Sequence, residues 1–360
     1  MSGMWGNKIK LSIFGESHGK AIGIVIDGLK AGTEIDLEYI RKQMKRRAPG
    51  FSKLSTPRKE QDEFEILSGY FNGRATGTPL CAVIQNSNTH SKDYEKTASL
   101  LRPGHADFTG KIKYRGFNDY RGGGHFSGRL TAPIVFAGAL CRKILEEKGI
   151  FIGSHIKSIG TIEDPKSFKF TSIEKSSLEK LSESKFPVLD ENCGEKMQQY
   201  ILKVKEEGDS LGGIVETGVV NLPPGIGDPF FDSVESTISG LLFSIPAVKG
   251  VEFGEGFDIS KMKGSEANDE YFISDNNAIK TYTNNNGGIL GGITDGMPLI
   301  FRTCIKPTPS ISKTQKTVDI EKREDALLEI KGRHDPCIVP RAVPVIEAAA
   351  ALSLLNLMED

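Results

Sequence analysis

AIGIVIDGLKAGTEIDLEYIRKQMKRR, residues 21–47, compresses one fold unit into a single line. Ile22, Ile24, Val25 and Ile26 give it the branched apolar character of a strand. AGTEI is a turn. Asp36 predicts a helix N-cap, and Leu37, Ile40 and Met44 fall on one face of the helix that follows. The same order returns in LGGIVETGVVNLPPGIGDPFFDSVESTISGLLFSI, residues 211–245: a Gly-Ile-Val strand, a glycine turn, an acidic cap and a helix.

The parallel extends outward from both copies. GTPLCAVIQNSNT (77–89) matches DGMPLIFRTCIKPT (295–308) in its glycine, its proline–leucine pair and its alternating strand. Each half then ends on a histidine before an apolar helix. His125 is followed by Arg129 and Pro133, and His334 by Arg341 and Pro344. The reading is one domain of two related halves, about 1–150 and 208–360, each a sheet with helices around one core. A polar insert, about 160–207, carries two helix-like runs and is expected to be peripheral. Doubly wound topology is excluded. RGGGHFSGRL (121–130) offers Gly122 and Gly124 but Ser127 where a dinucleotide fingerprint needs its third glycine. The expected class is α+β with mostly antiparallel sheets.

The 360 residues carry a net charge of −1, so no global field draws the chain to nucleic acid or a membrane. Five widely spaced cysteines without a C-x-x-C fit reduced thiols rather than disulfides or zinc. TAPIVFAGALC and AVPVIEAAAALSLL are too short or too charged for a membrane span. LSIF, near the start, is broken at once by GESHGK. A cytoplasmic protein is expected. Glycine stands out, at 40 residues against roughly 7% in average usage. Many tight turns explain that, or backbone that approaches a ligand closely.

Chemistry concentrates in a few segments. Four of the six histidines, His18, His105, His125 and His334, lie among Gly, Arg or Asp. FGESHG exposes Glu16, Ser17 and His18 between glycines, but Ser17 beside His18 does not make a serine triad. Residues 41–59 hold eight Lys or Arg and no acid, a surface for an anionic ligand. Phe51 is their only aromatic, too few to stack RNA bases. LRPGHAD places Arg102 and Asp107 about His105. CIKPTPSIS offers a cation and two hydroxyls, a phosphate-binding mixture. No Walker loop and no H-E-x-x-H occurs, so neither nucleotide hydrolysis nor a metal site is expected. The residues imply an enzyme with several anion sites, two histidines and a carboxylate.

FGESHG, RRAPG, RPGHAD, DYRGGG with Arg129 beyond it, IPAVKGVEFGEGF, GGILGGITDG, IKPTPSI and GRHDPCIVPRAVPVIEA together resemble the chorismate synthase family, in its order and over nearly the whole chain. The resemblance implies a β-α-β sandwich and a homotetramer acting in the shikimate pathway. The implied reaction is a 1,4-anti elimination of phosphate from 5-enolpyruvylshikimate 3-phosphate, giving chorismate. It needs reduced FMN without net redox change. No dinucleotide fingerprint is present, so an external source of reduced flavin is expected over NADPH used directly.

By resemblance, His18 acts as acid toward the departing phosphate and His105 sits by the flavin ring. Asp335 with Ser17 relays a proton there. Lys306, Pro307, Thr308, Pro309 and Ser310 hold the FMN phosphate and ribityl groups. Pro246, Ala247, Gly291 and Arg333 line the flavin, with His125, Phe126 and Ser127. Arg46, Arg47, Lys53, Arg102, Arg129 and Arg341 are candidates for the substrate's anionic groups or for NADP. Many relatives read Arg-Ser-Ser-Ala-Arg-Glu-Thr where this chain has residues 125–131, His-Phe-Ser-Gly-Arg-Leu-Thr. Rival readings are a flavin- or nicotinamide-dependent oxidoreductase and an RNA-binding protein.

Overall fold

A computed structural model describes residues 3–50, 54, 62–86, 99–330 and 335–358. The first sheet holds β1 (Met4–Trp5), β2 (Lys10–Gly15), β3 (Ala21–Asp27), β4 (Phe64–Ser68) and β5 (Leu80–Gln85), in the order β1-β2-β3-β5-β4. The second holds β6 (Phe151–Ile159), β7 (Ile162–Glu163), β8 (Gly213–Val220), β9 (Val248–Phe253) and β10 (Leu299–Ile305), in the order β9-β10-β8-β6-β7. Every pairing in both is antiparallel. The fold is α+β, as expected.

The two sheets share one connectivity. β2-β3-β5-β4 in the first stands where β6-β8-β10-β9 stands in the second. Helix α1 (Leu37–Arg47) follows β3, as α6 (Val234–Ser244) follows β8. Asp36 caps α1, its carboxylate accepting from Tyr39 N at 2.9 Å. The cap of α6 is Ser233, not an acid: its hydroxyl accepts from Ser236 N at 3.0 Å, after a short turn over Phe230–Asp232. The second sheet also starts earlier than the repeat suggests, at Phe151, ahead of the polar insert.

Between the sheets lie α3 (Thr131–Glu147) and α7 (Val339–Met358), the helices that close each half. Helix α3 packs on β3 and β6, and α7 on β6 and β8. By length and apolarity α7 would cross a membrane, yet it is almost wholly buried inside the protein. Its contact with α3 is unusually close. A Cβ built on Gly138 would fall 2.2 Å from Ala348 Cβ and 2.8 Å from Ala348 O. Only glycine permits that crossing.

A buried ion cluster sits beside it. Glu347 accepts from Arg142 Nη1 at 2.7 Å, from Ser154 N at 3.1 Å and from Arg46 Nη2 at 3.2 Å. Burial alone would raise the Glu347 carboxyl, but Arg46 and Arg142 outweigh it and hold the group below its ordinary range.

The insert is more than a surface addition. Its helix α4 (Lys175–Glu183) closes a second apolar cluster of Phe168, Leu178, Leu181, Val220 and Ile300, and α5 (Glu191–Glu206) adds Cys193, Met197 and Ile201 to the main core. Leu178 packs where a side chain at Gly153 would be. Phe168 N donates to Glu216 at 2.8 Å, and Glu216 pairs with the fully buried His155, also at 2.8 Å.

Two stability outcomes follow. Gly138→Ala forces α3 and α7 apart and costs about 1–3 kcal/mol in denaturant unfolding. Glu347→Gln removes the charge shared by the buried Arg142 and the half-buried Arg46 and costs about 3–5 kcal/mol. Because the folded Glu347 pKa is depressed, its contribution is complete above the unfolded glutamate value of about 4.3 and is lost as pH falls through the folded value. Unfolding of the Gln variant measured against pH therefore has a shallower acid limb than the parent.

Candidate functional site

Helices α3 and α7 begin at the same end of the helical layer. Arg47, the last residue of α1, joins them: its Nη1 donates to Thr131 Oγ1 at 3.4 Å, and its carbonyl accepts from Arg341 Nε at 2.9 Å. Two helix N-termini with their positive dipole ends thus meet a set of arginines, an arrangement suited to anions. The loop into α3 carries His125 and the one into α7 carries Asp335, while His18 lies between β2 and β3 and His105 two residues ahead of Asp107.

The triple glycine of 121–126 is the centre of the site. Gly122, Gly123 and Gly124 all have positive φ, which tightens the chain into a knuckle before α3. A Cβ on Gly122 would lie 1.9 Å from His18 Cε1. One on Gly123 would lie 3.2 Å from His105 Nε2. Backbone without side chains therefore runs between two imidazoles and lets both approach. Ser17 fixes the His18 loop to this knuckle: its N–H donates to Gly124 O at 3.1 Å and its hydroxyl to Arg121 O at 3.4 Å. Ser17 Oγ is also 3.3 Å from His18 Nδ1, too long to activate a nucleophile.

Around the knuckle the charges are paired. Asp62 takes Arg47 Nε at 2.8 Å on one carboxylate oxygen and Arg129 on the other. Burial would raise the Asp62 carboxyl, but the two arginines hold it low. Arg129 Nε also donates to Asn86 Oδ1 at 3.1 Å, and Asn86 Nδ2 donates to Glu16 O and Gly19 O, each at 3.0 Å. Arg341 pairs with Asp335. Arg102 grips Asp107, with Nε on Oδ2 at 2.7 Å and Nη2 on Oδ1 at 2.6 Å.

Residues 306–310 reach this site from the second half. Lys306 Nζ donates to Gly104 O at 2.5 Å, and Lys306 N to Ala247 O at 2.9 Å. Ser210 Oγ holds Thr308 O at 2.7 Å. The Thr308 hydroxyl is buried and has no hydrogen-bond partner among the described residues. A lysine beside an unmatched buried hydroxyl fits an anionic group of a ligand.

Other expected residues lie apart. Arg46 is spent on Glu347 and Gln43 in the core rather than facing an open anion site. His125 Nδ1 is bound to Gly15 O at 2.9 Å, Phe126 packs against Gly110 of α2 (Asp107–Lys113) and Tyr114, its C-cap, and Ser127 Oγ accepts from Arg129 N at 3.3 Å. The side chains of 125–127 are thus committed to local contacts. Pro246 and Ala247 follow the C-terminus of α6, while Gly291 precedes Gly292, which packs on the Ser233 cap at the other end of that 11-residue helix. Lys53, Arg333 and His334 lie outside the described residues. Surface clefts lined by Lys30, Arg74 and Lys148, or by Tyr271 and Ile279, hold none of the expected site residues.

Residues 9–358 match the family described as chorismate synthase. The chain belongs to the chorismate synthase family. It is 46% identical to the chorismate synthase of Thermococcus kodakarensis, over 98% of this chain and 96% of that one. It is 48% identical to that of Dehalococcoides mccartyi, over 99% and 96%. A crystal structure of chorismate synthase superposes with a TM-score of 0.77 at 31% identity, over 98% of this chain and 92% of the other.

Sequence reading did not find Asp62, Asn86 or Glu347, each of which sets where a family arginine points. Asp62 is one acid among several in EQDEFEI, and nothing local marks it as the partner of Arg129, 67 residues on. Gly122→Ala tests the glycine knuckle. It costs about 1–2 kcal/mol for its left-handed backbone and displaces His18. Turnover should fall about 10²–10⁴-fold while far-UV circular dichroism stays unchanged.

Proposed function

We propose that this protein is a chorismate synthase, eliminating phosphate from 5-enolpyruvylshikimate 3-phosphate in aromatic amino acid biosynthesis. The observation that carries the reading is the pair of imidazoles, His18 and His105, on either side of one glycine knuckle. Arg47, Arg129 and Arg341 stand at its edge. The match over nearly the whole chain supports it.

The substrate carries a phosphate and carboxylates, so its binding needs several cations in fixed places. Arg129 and Arg341 serve this role, with Arg47 anchoring them from the end of α1. His18, largely buried between Ser17 and the knuckle, donates a proton to the departing phosphate. Asp335, paired with Arg341, relays a proton with Ser17. His105 faces the bound cofactor.

FMN is the cofactor this reading requires, and residues 306–310 fit its phosphate through Lys306 and the unmatched Thr308 hydroxyl. Reduced flavin, when bound, supplies electron density to the substrate as its phosphate leaves. Reduction by an external source, rather than by NADPH at this site, fits a chain without a dinucleotide fingerprint. The reading includes one domain built as two related halves, a homotetramer and a cytoplasmic location. Exposed Phe230, Phe231 and Phe257 support contact between copies.

The test is phosphate release from 5-enolpyruvylshikimate 3-phosphate under anaerobic conditions. Release is expected with catalytic amounts of reduced FMN and none with oxidised FMN. His105→Ala should slow it about 10²–10⁴-fold. Release that does not depend on flavin, or flavin oxidised in step with product, would overturn the proposal.

A further inference from the structure

We propose that Asp107 is a positioning residue for His105, and that Arg102 serves Asp107 rather than the substrate. This rests on the reading of His105 as a group facing the cofactor.

Asp107 opens α2, two residues beyond His105, and its Oδ1 lies 2.8 Å from His105 Nδ1. Arg102 Nη2 is 3.1 Å from the same ring nitrogen. Nδ1 meets one of these as a donor or the other as an acceptor, but not both. The carboxylate contact is the shorter and is charge-assisted, so it decides the tautomer. A bare Nδ1 would set a lone pair against a carboxylate at hydrogen-bond distance. Nδ1 therefore carries the proton, and the neutral ring presents its lone pair at Nε2, on the side of Gly123.

Arg102 is what keeps Asp107 available for this. It makes three bonds to that carboxylate, from Nε, from Nη2 and from its own backbone N–H at 2.9 Å. Burial would raise the Asp107 carboxyl, but the bonds from Arg102 and His105 hold it well below the carboxylate range. The Nε–Nη2 edge of Arg102 is taken up by this grip, and its side chain is only 12% exposed. Lys306, bound to Gly104 O, closes the loop from the other side. Arg102, Asp107 and His105 form one unit whose output is the orientation and tautomer of a single imidazole.

Nitrogen-15 NMR of the histidine-labelled, flavin-free protein tests this, with the His105 signals identified by their loss in His105→Gln. The neutral ring should show a protonated Nδ1 and a bare Nε2. In Asp107→Asn the amide keeps its oxygen on Arg102 and turns its NH₂ to Nδ1, so the tautomer should invert. Turnover should then fall about 10²-fold. Asp107→Glu should restore the parent spectrum and part of the rate. Arg102→Gln should mix the tautomers and lower kcat with substrate KM within about threefold. Three results would overturn the proposal: a protonated Nε2 in the parent, an unchanged spectrum and rate in Asp107→Asn, or a large rise in KM with an unchanged spectrum in Arg102→Gln. If the tautomer is as expected but no flavin-dependent phosphate release occurs, the functional reading fails and the pairing stands.

Discussion

The crossing of α3 and α7 at Gly138 and Ala348 is the constraint on which the rest of this structure depends. Two four-strand units of the same connectivity each end in a long apolar helix. Bringing those helices to backbone contact fuses two half-cores into one, since a single cluster of buried side chains runs through both sheets. It also sets their N-termini side by side. The site is built there because both halves deliver a loop, an arginine and a helix dipole to the same place.

Polar groups then lock what apolar packing brings together. Glu347 lies one residue before Ala348 and ties α7 to Arg142 of α3 and to Arg46 of α1. The next arginine, Arg47, is also buried but turns to Asp62 and the site. Neighbouring arginines on one helix thus have different work, one structural and one at the anion end. Among the described residues, Arg46 and Arg47 of the cationic cluster are divided by the carboxylate each reaches.

The repeat was legible in the sequence because strand, turn and helix signals recur in the same order and depend on local chemistry. Asp36, Ile40 and Met44 set the start and the buried face of α1 from within one segment. The histidine segments were legible too, since Gly, Arg and Asp beside His18 and His105 stand out from the surroundings. What the sequence hid is long-range. No local pattern assigns Glu347 to Arg46 or Asp62 to Arg129, because each pair forms only after the halves pack. The fate of His125 was hidden for the same reason. Its ring is held by Gly15 O, 110 residues earlier, and leaves the knuckle's backbone to face the His18 and His105 loops. The insert misled in the other direction: its polar composition masks Phe168 and Leu178, which close the outer face of the second sheet.

The central claim is that one knuckle of glycine backbone seats His18 and His105 around a single reaction centre. A crystal structure of the protein with FMN and 5-enolpyruvylshikimate 3-phosphate tests it most directly. The account predicts the flavin phosphate on Lys306 and Thr308, with the substrate ring between His18 and the flavin. Flavin density remote from His105, or a substrate phosphate beyond reach of His18, would contradict it.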